Sequence, residues 1–271
     1  MKFRLIILKN LYIKCLIKGK VMKYFIGNWK MFGIPSSHKI LYKINAFFKR
    51  DKNNKKKYKI IIAPPFTLLH DFSKRFKSSK ISISSQNCYH KDFYGAHTGN
   101  ISPFMIKKLG INYTLIGHSE NRASGENNKL IGEKISLALK NKLSVILCIG
   151  ENKIEKRNKK TFSVLKKQLS HSISSKNHLK KIIIAYEPLW SIGSGRVPSK
   201  NELEKIIVNI KKYLNKKFRL KRKNIRILYG GSVDKQSVLN FKAINELDGF
   251  LIGGASKSSK NFIDIIKNFY K

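Results

Sequence analysis

Acidic side chains are the scarcest chemistry in this chain. Fifteen Asp and Glu stand against 57 Lys and Arg, a formal charge of +42 with an isoelectric point near 10.3. Cysteine is also sparse. Cys15, Cys88 and Cys148 are odd in number and widely spaced, which says nothing for disulfides and suits a reducing compartment. No apolar run approaches the ~20 residues that a helix needs to cross a bilayer. No His-x-x-x-His pair with an intervening Glu offers a metal-ligand spacing, and no DNA- or RNA-binding motif accompanies the positive charge. A glycine-rich turn after the first strand-like run, expected of a doubly wound dinucleotide-binding sheet, is missing.

What is present is lysine throughout, together with Ile and Asn. Charge spread so evenly reads as chain-wide compositional drift, not as a polyanion-binding face, which would concentrate it. Its field would still attract a phosphorylated substrate. Residues 1–21 stand apart: they hold Lys2, Arg4, Lys9, Lys14, Lys18 and Lys20 and no acid. Leu5–Leu8 is too short for a secretory apolar region. This segment is expected to be a disordered N-terminal extension, with a membrane-surface helix as the rival reading. Residues 22–271 are expected to form one domain.

From Met22 onward strand-like and helix-like patterns alternate. The apolar runs are Tyr24–Gly27, Ile60–Ala63, Ile81–Ser85, Tyr113–Gly117, Val145–Ile149, Ile182–Tyr186, Ile225–Tyr229 and Phe250–Ile252. Their near-continuous apolar content suits strands buried on both faces. Between them lie helical stripes: Ile40, Leu41, Ile44, Phe47 and Phe48; Leu203, Ile206, Ile207, Ile210 and Leu214; Phe262, Ile265, Ile266 and Phe269. Ser199 and Glu202 have capping-box spacing at the start of the second. Alternating β and α units predict a parallel sheet, and eight of them predict a closed (β/α)8 TIM barrel with outer helices.

Such barrels build their sites where strands end at the C-terminal rim. Here the first run is followed by Asn28-Trp29-Lys30-Met31, the fourth by His118-Ser119-Glu120, and the sixth by Glu187-Pro188-Leu189-Trp190. Glycines follow the last two, in Gly230-Gly231-Ser232-Val233 and Gly253-Gly254-Ala255-Ser256. Each residue alone has an ordinary explanation: a lysine among many, a histidine satisfied at a strand end, tight turns. Glu187 is harder to dismiss, because acids are rare and this one sits between a buried strand and a proline. The glycines lie where barrels commonly bind phosphate through backbone N–H groups. Convergence of all of them on one rim carries the argument.

These five segments, in order and at their spacing, resemble the triosephosphate isomerase family from Met22 to the end of the chain. The resemblance implies interconversion of dihydroxyacetone phosphate and D-glyceraldehyde 3-phosphate through an enediolate, in glycolysis and gluconeogenesis, in the cytoplasm and without cofactor or metal. It implies that Glu187 is the base, that His118 is a neutral electrophile polarising the carbonyl, and that Lys30 and Asn28 serve the substrate oxygens. Gly193, Ser232, Gly253 and Gly254 would bind phosphate. Glu120 would hold Lys30, and Pro188–Arg196 would be a closing lid that Tyr229 hydrogen-bonds. The family pattern further implies a homodimer, with Thr98 entering the partner near Asn28, Lys30 and His118. No specific nucleic acid and no membrane is expected as a partner.

Some positions depart from that pattern. Asn121 and Arg122 stand where two arginines are usual, Asn100 stands where glutamate is usual, and the segment after Arg122 is one residue short. Arg196 replaces a lysine and Lys257 an apolar residue. With Asn121 in place of arginine, Glu126 is expected to meet Arg122 or solvent. These changes bear on dimer strength and lid kinetics, not on reaction type. Two alternatives remain: another phosphate-binding barrel of sugar-phosphate metabolism, which the Glu187-Pro188-Leu189-Trp190 lid argues against, and a basic nucleic-acid-binding barrel, which should have lost its site residues.

Overall fold

The computed structural model describes residues 22–54, 56–219 and 225–271. The expectation for residues 1–21 lies outside the described residues. Eight parallel strands close in chain order into a barrel: β1 (Lys23–Asn28), β2 (Tyr58–Ala63), β3 (Ile81–Ser85), β4 (Tyr113–Ile116), β5 (Ser144–Ile149), β6 (Ile182–Tyr186), β7 (Arg226–Tyr229) and β8 (Gly249–Ile252). β1 closes the ring against β8, with Phe25 opposite Phe250 and Gly27 opposite Ile252. The strands lie where the apolar runs predict, within one or two residues.

Alternation along each strand divides its side chains between two cores. Outward residues such as Phe25, Ile60, Ile62, Ile182, Ile184 and Tyr186 meet the helices. Inward residues Ile26, Ile61, Ala63, Ile146, Cys148, Ile183 and Ala185 fill the barrel. Toward the C-terminal rim the inward positions shrink, from Ile61 to Ala63, Ile146 to Cys148 and Ile183 to Ala185. Large side chains plug the lower barrel and small ones leave room above. The same period aims Asn28 inward after Ile26, and carries Glu187 inward after Ala185.

The helical stripes pack as their periodicity requires. Leu41, Ile44 and Phe48 are buried on the His38–Arg50 helix, Leu203, Ile207, Ile210 and Leu214 on Lys200–Phe218, and Phe262, Ile265 and Ile266 on Ser259–Tyr270. The capping box at Ser199 forms only in half. Ser199 Oγ accepts the Glu202 N–H at 3.2 Å, but the Glu202 carboxylate turns to Lys156 Nζ at 2.6 Å. A charged donor within reach outcompetes a backbone amide for a carboxylate.

Candidate active site

Asn28 ends β1 and is buried; its Oδ1 accepts the Lys30 N–H at 3.1 Å. That bond helps hold Lys30 at φ +56°, a left-handed conformation uncommon for a residue with a side chain and one that the surroundings must enforce. Two further contacts enforce it. Gln86 Nε2 donates to the Lys30 carbonyl at 2.8 Å and to the Ala63 carbonyl at 2.9 Å. Trp29 Nε1 donates to the Ser256 carbonyl at 3.0 Å, tying the loop after β1 to the loop after β8. Lys30 Nζ then reaches Glu120 Oε1 at 2.6 Å. Partial burial pushes the Glu120 carboxyl up, but the hydrogen bond from Lys30 and the positive charge it brings outweigh it and hold the group below its ordinary value.

His118 caps the short Ser119–Ala123 helix, its Nδ1 accepting the Glu120 N–H at 3.2 Å. An accepting Nδ1 carries no proton, so the imidazole holds its proton on Nε2. Nε2 faces Glu187 Oε1 at 3.5 Å, both side chains being buried. Burial raises the Glu187 carboxyl above its ordinary value, against the pull of His118, Cys148 and Lys30. Glu187 Oε2 is buried and makes no hydrogen bond among the described residues. Cys148, directly below, has its thiol pushed well up by burial and by the Glu187 charge, so it stays protonated.

These groups line one cavity of about 550 Å³, together with Ile192, Gly193, Gly195, Ser232, Gly253, Gly254 and Lys257. Of the residues singled out in the sequence, the fold brings Asn28, Lys30, His118, Glu187, Gly193, Ser232, Gly253 and Gly254 to that wall. Glu120 and Tyr229 stand behind it, bonded to Lys30 and to Ser191. Thr98 does not join them within one chain. It is exposed in the loop at 95–100, where its carbonyl accepts from Asn100 Nδ2 at 3.4 Å. The segment 188–196 is anchored at its start by Glu151, whose Oε1 accepts from Trp190 Nε1 at 2.9 Å and Tyr186 Oη at 3.1 Å. Lys156 Nζ lies 3.3 Å from the centre of the Trp190 ring. Gly193, at φ +67°, turns the backbone of this segment where a side chain would strain it.

The expectation for Glu126 is corrected. It does not meet Arg122 and is largely withdrawn from solvent: its Oε1 takes a hydrogen bond from Lys134 Nζ and another from Asn87 Nδ2 at 2.8 Å. Arg122 is committed elsewhere, to the carbonyls of Gly117 at 2.8 Å and Cys148 at 3.2 Å and to Asn128 Oδ1 at 2.8 Å. It braces the end of β4 against β5.

An imidazole N–H beside a buried carboxylate, at the rim of a (β/α)8 barrel, is equipment for moving a proton between neighbouring atoms of a small carbonyl compound; the class is an intramolecular isomerase. Comparison with known proteins narrows it. The family described as Triosephosphate isomerase matches residues 23–269. Triosephosphate isomerase of Dictyoglomus thermophilum is 37% identical over 250 residues, covering 91% of this chain and 99% of that protein. The Yarrowia lipolytica enzyme is 37% identical over 248 residues, covering 90% and 98%. The crystal structure of triosephosphate isomerase from Bartonella henselae superposes with a TM-score of 0.84 at 31% identity, over 93% of this chain and all of that one. The chain belongs to the triosephosphate isomerase family, and it interconverts dihydroxyacetone phosphate and D-glyceraldehyde 3-phosphate through an enediolate.

Gln86, Glu151, Ser191 and the Glu126–Lys134 pair hold the site in ways the motifs do not announce. Two of them carried a signal. Glu151 is one of the few acids and follows β5 closely. Lys134 lies on the apolar stripe of its helix, beside Ile131, Ile135 and Ala138, where a charge needs a buried partner.

Proposed function

We propose that Glu187 is the base of this isomerisation, with His118 as its electrophilic partner. The observation that carries the reading is the buried Glu187–His118 pair at 3.5 Å, with a carboxylate oxygen left unbonded beside it. Glu187 takes a proton from the carbon next to the carbonyl and returns it to the neighbouring carbon. His118 Nε2–H donates to the oxygen on which negative charge grows, and Lys30 and Asn28 serve the same charge. Donors fixed before the reaction cost no reorganisation as the enediolate forms, which makes them the largest contribution to the rate; a positioned base adds about 10²–10⁴-fold. Backbone N–H groups of Gly193, Ser232, Gly253 and Gly254 hold the phosphate, and Glu120 keeps Lys30 in place.

The working form is a homodimer in the cytoplasm, with residues 22–271 as its catalytic domain. Exposed apolar side chains support the dimer: Met31 is 98% exposed, Ile34 65%, Phe93 54% and Tyr94 78%. They lie on the loops after β1 and β3, the second of which also carries Thr98. A free monomer would leave them in water, and large apolar side chains so exposed favour burial against a partner. Thr98 would then reach the partner's Asn28, Lys30 and His118. A coupled isomerase assay of Glu187→Gln and His118→Gln, with sedimentation of the wild type, tests the reading. Near-normal turnover in the Glu187 variant would remove it from the base role, and an active monomer would remove the dimer.

A further inference from the structure

Ser191 sits inside the lid yet is fully buried, while Gly193–Gly195 just beyond it are exposed. Its hydroxyl has one proton and two lone pairs. The Arg196 carbonyl can only accept, so Ser191 donates there and folds the lid onto its own far end. Tyr229 Oη, 2.8 Å away, must then donate to Ser191 Oγ. Burial pushes the Tyr229 phenol up to about 12, so its proton stays in place at neutral pH. The remaining lone pair faces the Ser232 N–H at 3.3 Å. The Ser191 carbonyl in turn accepts from the hydroxyls of Ser232 at 2.5 Å and Ser194 at 3.1 Å. The two hydroxyls press against the Gly231 backbone: a Cβ there would stand 2.3 Å from Tyr229 Oη and 2.6 Å from Ser191 Oγ. One oxygen thus joins the lid, the far end of the lid and the loop after β7.

We propose that Ser191 is a positioning residue of the isomerisation, whose hydroxyl occupies the Ser232 N–H until a phosphate oxygen takes it, so that phosphate binding and lid placement are coupled through one atom. The 3.3 Å bond is long and neutral, and an anionic oxygen is a far better acceptor for the same donor. When the N–H transfers to phosphate, Ser191 keeps its bonds to Tyr229 and Arg196 and holds the lid over the site. This inference rests on the reading that the lid and Ser232 meet the substrate phosphate.

The consequence falls on the enediolate. Uncovered, it can expel its phosphate: the enolate electrons form a new C=C bond, the C–O bond breaks, and phosphate leaves with the bonding pair. The residue is the enol of methylglyoxal, which ketonises. A lid held in place suppresses this side reaction. The test measures kcat, the fraction of turnovers yielding methylglyoxal, and inhibition by inorganic phosphate, in full-length Ser191→Ala, Tyr229→Phe and the double variant. Loss of one buried hydrogen-bonding hub predicts kcat about tenfold lower and a methylglyoxal fraction about tenfold higher in Ser191→Ala. Phosphate should bind at least as tightly as in the wild type, because its competitor for the Ser232 N–H is gone. A merely loosened site would weaken phosphate together with kcat. Tyr229→Phe should reproduce the side reaction, and the double variant should exceed Ser191→Ala by less than about twofold, since both act through one oxygen.

A wild-type methylglyoxal fraction in Ser191→Ala, or phosphate weakened in step with kcat, overturns the proposal. If Ser191→Ala does not fold, Tyr229→Phe decides by the same readouts. Glu187→Gln separates the two levels: if it is inactive while the Ser191 variant behaves as wild type, the site reading stands and this inference alone fails.

Discussion

Replacing Glu187 with Gln should cripple the enzyme and stabilise the protein. Burial raises the Glu187 carboxyl above its ordinary value, one oxygen lacks a hydrogen bond among the described residues, and its main attractive neighbour is the imidazole at 3.5 Å. A carboxyl whose pKa is higher folded than unfolded ionises at the expense of the fold. Its contribution to stability is full below the unfolded value, near about 4.3, and is lost as pH rises through the raised folded value. At neutral pH the wild type therefore carries a buried charge that Gln removes, and the cost of such an unsatisfied group is about 1–3 kcal/mol. Gln retains a buried amide, so the expected gain is at the lower end, about 1 kcal/mol, and it should fade toward pH ~4. The rate moves the other way. The base acts in the transition state, so kcat should fall at least about a thousandfold, some 4 kcal/mol of barrier, while KM changes little. Urea unfolding at pH 7.5 and pH 4.5, at one fixed protein concentration so that dimerisation does not intrude, measures the first effect. A coupled assay measures the second. A variant less stable than wild type at pH 7.5 would refute the electrostatic reasoning, and one keeping more than a tenth of kcat would refute the base assignment.

Lys134→Met should cost up to about 3 kcal/mol by leaving the largely buried Glu126 carboxylate with Asn87 alone; Glu126→Gln added to it should recover part of the loss, and denaturation of the two variants settles whether it does. Asn100→Glu and Asn121→Arg together should strengthen the dimer by about 0.5–3 kcal/mol more than the two singles summed, read by sedimentation equilibrium; additive singles would show that these positions do not pair. The charge of +42 should act on kcat/KM through ionic strength, attraction of a dianionic substrate weakening as the Debye length falls to about 8 Å at 0.15 M salt. Tight, sequence-selective DNA binding at that salt would contradict the reading of the charge as compositional drift.

The strands and the rim were legible in the chain because their causes are local. A run such as Ile182–Tyr186 is apolar throughout because both faces of its strand are buried, and barrel geometry sends whatever follows it, here Glu187, to the C-terminal mouth. Asn28, Lys30, His118 and the glycine pairs were legible for the same reason. The scarcity of acids also marks Glu187 within the sequence itself. What the tertiary structure alone decided is partnership. Glu126 chose Lys134 over Arg122 because burial leaves a carboxylate only the donors that the packing supplies, and Arg122 had already been claimed by the carbonyls of Gly117 and Cys148. Glu202 left its capping box for Lys156, which lies on a helix 46 residues away. Ser191 shows the limit most clearly. Serine in a polar, glycine-rich loop reads as a solvated residue, and only closure of the barrel sets it against Tyr229 and Ser232, since a hydrogen bond between segments about 40 residues apart leaves no periodicity in the chain for a reader to find.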